Sequence, residues 1–133
     1  MNIIWLGHGS FRIEIEDQVL LIDPWLNGNP MLEEDRHEAA LKGATQILVT
    51  HGHFDHTDDL PDVAKRTEAP VAGMFELMAW FEGKGVQNAT GFNKGGTIKC
   101  GKVAITMVPA THSSSVSGDA GPVYTGMETG FMI

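Results

Sequence analysis

The sequence predicts a layered α/β domain. Three observations carry that expectation: strand and helix patterns alternate through the middle of the chain, both ends are rich in strand patterns, and a dense histidine cluster follows an apolar strand directly. In that last feature "QILV" (46–49) delivers the chain into "THGHFDH" (50–56), and sites in layered α/β folds commonly occupy loops beyond strand ends. A length of 133 residues and an apolar fraction of 42% fit one domain over 1–133 with a core of its own.

The elements follow in order. "NIIWL" (2–6) is a buried-type apolar run, "FRIEIE" (11–16) alternates at period two, and "VLLI" (19–22) follows a short polar link, which together predict a three-stranded meander. "DPWLNGNP" (23–30) is a loop by its turn residues, and "EEDRHEAAL" (33–41) is a short helix closed by Gly43. Beyond the histidine cluster, Thr57 is the expected N-cap of a helix over 58–66. A strand "PVAG" (70–73) and a helix "MFELMAWFEG" (74–83) come next. A turn-rich stretch then leads to strands "GTIKC" (96–100) and "KVAITMVP" (102–109), and "TGFMI" (129–133) is a last strand-like run.

Composition excludes several function classes. Nine basic against 17 acidic residues give a formal charge of −8, which repels a nucleic-acid backbone and discourages binding to an anionic membrane surface. "MNIIWLGHGSF" has no basic leader and its apolar run stops at Gly7, so a cytoplasmic location is expected. Cys100 is the sole cysteine, which rules out an internal disulfide and a thiolate metal cluster; it reads as a small apolar filler.

Three histidines and an aspartate within seven residues point to a metal site, because imidazole and carboxylate are common ligands of a borderline cation such as zinc. His51, His53 and Asp55 lie two apart and would share a face of an extended segment, with His56 pointing elsewhere. One ion gripped by His51 and His53 and another by Asp55 and His56 would suit two metals about 3.5–4 Å apart. Gly52 permits close backbone approach, and His112, just past the strand 102–109, is the best further donor. Asp23 closes an apolar strand before Pro24, which fits either a turn or a carboxylate orienting a bound imidazole. His37 reads as structural, since "HEAAL" lacks the second histidine of the zinc-protease helix, and His8 is open. Ser113, Ser114 and Ser115 read as loop hydrogen-bonding residues, with no nucleophile elbow around them.

"THGHFDH" resembles the metal-binding signature of the metallo-β-lactamase-fold hydrolases. "IIWLGHGSFRIE", "LLIDPWL", "ILVTHGHFDHTDD" and "VPATHSS" resemble, more narrowly, the metal-dependent hydrolases related to L-ascorbate-6-phosphate lactonase. That resemblance implies an αββα sandwich with a dinuclear site: His51, His53 and His112 on the first metal, Asp55 and His56 on the second, Asp23 behind them, and His8 in the opening "GHGS". It implies one or two zinc ions, with manganese as an alternative. The family's later bridging aspartate and final histidine have no counterpart here, so the sequence resembles the N-terminal half of the fold. Residues 129–133 are therefore expected to pair with something, either a second copy in a homo-oligomer or a separate C-terminal half.

The function these readings imply is hydrolysis of a small ester, lactone or phosphodiester by metal-activated water, with Asp55 orienting the water or accepting its proton. The rival is an inactive half-domain that binds metal, or assembles with a partner chain, without turnover.

Overall fold

The meander forms β1 (Asn2–Gly7), β2 (Ser10–Ile15) and β3 (Gln18–Ile22), all antiparallel, in the computed structural model, which describes residues 1–133. A 3-10 turn (Glu34–Arg36) runs into α1 (His37–Leu41), and β4 (Gln46–Val49) then joins the sheet parallel to β3. After α2 (Phe54–Thr57) and α3 (Leu60–Thr67), β5 (Val71–Met74) extends the sheet in parallel. The chain crosses back through α4 (Phe75–Gly83) to β6 (Ala89–Phe92), giving the strand order β1-β2-β3-β4-β5-β6. A second sheet has the order β11-β8-β7, from β7 (Thr97–Cys100), β8 (Val103–Pro109) and β11 (Thr129–Met132). A hairpin of β9 (Val116–Gly118) and β10 (Gly121–Val123) stands beside it.

Period-two alternation decides the layers. Leu21, Ile47, Val49 and Val71 pack with Leu41 of α1, Leu60 and Val63 of α3, and Leu77 and Met78 of α4. Their neighbours Leu20, Leu48 and Ala72 point the other way, onto Cys100, Val103 and Ile105 of the second sheet. Buried on both faces, β4 is a continuous apolar run, as a central parallel strand must be. The order is helices, six-stranded sheet, three-stranded sheet. These are three layers of the expected αββα arrangement, and the outer face of the second sheet carries exposed Thr97, Lys99 and Ala104.

Several local expectations need correction. Thr57 caps nothing: it lies in α2, its hydroxyl donates to the carbonyls of Gly52 and His53, and α3 starts from Asp59. The turn-rich stretch after α4 contains β6, and the serine-rich segment contains β9. Residues 129–132 already pair with β8, which leaves one edge of β11 free. His37 is buried in α1, and its Nε2 has no hydrogen-bond partner.

Candidate metal centre

β1, β3 and β4 run in one direction, so the residues that follow them emerge together at one edge of the sheet: His8 after β1, Asp23 after β3, and His51 after β4. From the second sheet His112 arrives beyond β8. Thr129 ties the two sheets at this edge, its backbone N–H (2.9 Å) and its hydroxyl (3.0 Å) both donating to the Thr50 carbonyl.

Three overlapping donor groups result, one of them, Asp23, His51 and His56, lying between the other two. His51, His53 and His112 form the first, and His8, Asp55 and His56 the second, with the ligand atoms of each within 4.8 Å of one another. In the first cluster the His51 and His53 rings are 4.6 Å apart, and His112 lies 4.8 Å from His51 and 4.9 Å from His53. His51 and His56 join the clusters at 4.1 Å. The extended-strand reading fails for Asp55, which stands with His56 on the turn of α2; the helix brings both back toward His51, so His56 enters the site.

Hydrogen bonds assign the imidazole tautomers. Asp23, buried and acceptor-only, receives the Thr50 N–H (2.7 Å), the Thr50 hydroxyl (2.5 Å) and His56 Nδ1 (2.9 Å). Because the Thr50 proton goes to Asp23, its oxygen accepts from His51 Nδ1–H at 2.8 Å, and the lone pair of His51 sits on Nε2. His51 Nε2 lies 3.1 Å from His53 Nδ1, while His53 Nε2 faces Ser113 Oγ at 3.4 Å. Asp23 thus serves both clusters through one carboxylate, as an orienting group behind metal-bound histidines does. Ser114 is buried and accepts the Gly52 N–H at 3.1 Å, in line with a loop role.

The backbone is bent to achieve this. His8 (φ 51°) and Asp23 (φ 46°) lie in the left-handed region, a strain of about 1–3 kcal/mol each for residues other than glycine. Gly52 is required by contact: a Cβ there would stand 2.8 Å from Thr125 Oγ1 and 3.0 Å from the Ser115 carbonyl, so the close approach is to the residues that flank the β9–β10 hairpin. Gly9 is the glycine that faces the site, since a Cβ would meet His56 Cε1 at 2.6 Å.

The electrostatics differ between the clusters. Burial, then the neighbouring His56, His53 and His112, holds the His51 pKa down to about 4 despite Asp55. For His56, burial is the largest influence and works downward, but the hydrogen bond to Asp23 and the charges of Asp23 and Asp55 outweigh it and raise the pKa. Burial works upward on Asp55, yet the His8 hydrogen bond, its backbone bond and the charges of His56 and His8 leave it lowered.

The residues fit a divalent cation. Ligand bonds of about 2.0–2.1 Å in a tetrahedron place nitrogens about 3.3 Å apart, and the 3.1 Å between His51 and His53 is close to that edge. Beside them a cleft of about 480 Å³ is lined by His53, Asp55, Ser115, Ser117, Gly118 and Pro122. Two thirds of that lining comes from the β9–β10 hairpin and its approach, which composition disguised as a polar loop.

Residues 18–133 match the family described as "Beta-lactamase superfamily domain". A UPF0173 metal-dependent hydrolase of Dinoroseobacter shibae is 60% identical over 134 residues, taking in 100% of this chain and 58% of the relative. The chain therefore spans a little over half the length of the curated relatives it matches. Among solved structures, Igni18, a metallo hydrolase from the hyperthermophilic archaeon Ignicoccus hospitalis, has a TM-score of 0.74 and 31% identity over 97% of this chain and 53% of its own. The Rm3 metallo-β-lactamase, at TM-score 0.61 and 21% identity over 77% and 45%, is a likeness of fold alone.

Proposed function

The chain belongs to the β-lactamase superfamily domain family, and from that membership we propose that it carries the metal site of a metal-dependent hydrolase acting on a small ester, lactone or phosphodiester. The observation behind this is the convergence of His51, His53 and His112 from two different sheets, with the Asp23–Thr50 pair fixing His51 behind it. In this reading His51, His53 and His112 hold one cation, and Asp55 and His56 contribute to a second. Zinc, or manganese in its place, suits nitrogen-rich donors of this kind. When bound, the cation supplies Lewis acidity that lowers the pKa of water toward neutrality and polarises the scissile oxygen.

The chain's own residues do the rest. Asp55, anionic because its pKa is lowered, orients the attacking water and accepts its proton. Thr50 and Asp23 keep the imidazoles of His51 and His56 in the tautomers that leave Nε2 free to coordinate. The cleft between α2 and the β9–β10 hairpin, about 480 Å³, seats a small acyl or phosphoryl substrate such as a sugar lactone. A cytoplasmic setting and a pairing partner for β11 belong to the same proposal; no helix of the chain is long and apolar enough to cross a membrane, and β11 offers a free edge to a second copy or a complementing chain.

The test is turnover of a chromogenic ester and a chromogenic phosphodiester with added zinc or manganese. Metal-dependent turnover that vanishes in His53→Ala supports the proposal. Turnover that survives both chelator and His53→Ala overturns it.

A further inference from the structure

Phe54 sits between His53 and Asp55, yet its side chain is 55% exposed and lines the cleft beside them. One exposed ring says little by itself. This ring, however, is fixed in place and has an apolar wall opposite. Val116 and Pro122 line the same cleft from the β9–β10 hairpin, and Gly118 and Gly121 leave room between them by carrying no side chain.

The fixing comes from the loop after β3. Trp25 meets the Phe54 ring edge-on, at 6.1 Å and 87°. Ser10 Oγ accepts the Trp25 N–H at 3.1 Å, and buried Asp59 accepts the N–H groups of Leu26 at 2.7 Å and Asn27 at 2.9 Å. A ring held in this way presents its surface without having to be ordered when a ligand arrives. Charge narrows the ligand further. The carboxylate that lines the cleft is Asp55, and Asp58 is close enough for Asp55 to raise its pKa. A group lying along Phe54 is therefore favoured when neutral and disfavoured when anionic. We propose that Phe54, opposite Val116 and Pro122, is the platform for a neutral apolar acyl group, which narrows the substrate to carboxylic esters and lactones of apolar acids.

The inference rests on the hydrolase reading for the place of the scissile bond, and the experiment keeps the two apart by measuring binding as well as turnover. Acetate, butanoate, hexanoate and hexanedioate are titrated calorimetrically into the zinc-loaded 133-residue chain, in wild type, Phe54→Ala and Phe54→Tyr. The carboxylate head is constant and only the tail changes. In wild type, affinity should rise roughly two- to fourfold for each methylene from acetate to hexanoate. Hexanedioate, with a second carboxylate on its tail, should bind well below hexanoate. Phe54→Ala should flatten the series and leave acetate, which reports an intact fold and metal position, unchanged; Phe54→Tyr, which keeps the ring, should retain the slope. A flat or undetectable series in wild type would overturn the proposal, as would hexanedioate binding as tightly as hexanoate. A slope in Phe54→Ala as steep as in wild type would overturn it too, leaving Phe54 only its packing against Trp25. A steep, Phe54-dependent series in a chain that turns over no ester would instead strike the hydrolase reading and leave the platform standing.

Discussion

The two donor clusters share an edge of the sheet and one carboxylate behind them, yet they are built differently. His51, the anchor of the first, is buried at 6% exposure directly beyond the central strand β4, and its neighbours are imidazoles. The second is more open and mixes imidazole with carboxylate. It depends on a strained turn at His8 and on the single turn of α2. The contrast teaches that affinity follows the scaffold: a donor fixed by a buried strand and a satisfied hydrogen-bond chain is preorganised, whereas one on a short turn must be ordered by the ion itself.

The largest effect is expected at the first cluster. His53→Ala removes one of three imidazoles, and both metal retention and any hydrolysis should be lost; His37→Ala, at a buried position outside the donor groups, should change neither. Equal effects from the two would end the distinction between them. Asp23→Ala should follow, because it strips the acceptor from Thr50 and from His56 together. A fall of about 10–100-fold in zinc affinity at both positions is expected, with about 1–3 kcal/mol of stability lost for each donor left buried and unpaired. Chemical denaturation and zinc competition on one preparation measure both quantities.

A smaller effect separates the clusters. Gly9→Ala places a methyl group 2.6 Å from His56 Cε1, so His56 must give way. Zinc affinity should drop several-fold at the second position, on the order of 1 kcal/mol as for other local overpacking, and hold at the first. Acidification should divide them as well. Coordination needs neutral imidazole, and His51, with its pKa near 4, keeps its lone pair well below neutrality. His56 has its pKa raised above the ordinary 6.5, so protons compete there as the pH falls through neutrality. The Asp55–His56 position should therefore empty at the higher pH, and simultaneous release of both ions would contradict that ordering.

Much of this was legible in the sequence because it is local. "VLLI" and "QILV" declare buried strands, "THGHFDH" declares donors, and the placement of one after the other locates the site. What escaped depends on distant contact. His8 meets Asp55 across 47 residues, and nothing in "GHGS" signals that meeting. The face shared by His51, His53 and Asp55 was inferred from an extended backbone, whereas the chain turns helical at Phe54 and carries His56 inward. β6 and the β9–β10 hairpin are only three or four residues long and each contains Gly, with Thr90, Ser117 and Pro122 among the rest, so pairing rather than composition makes them strands.

The central claim, that His51, His53 and His112 form the principal cation position, is tested most directly by metal content per chain after zinc loading and dialysis against metal-free buffer. Elemental analysis of wild type and His53→Ala side by side should find about one zinc retained by wild type and almost none by the variant. Equal zinc in the two would contradict the account.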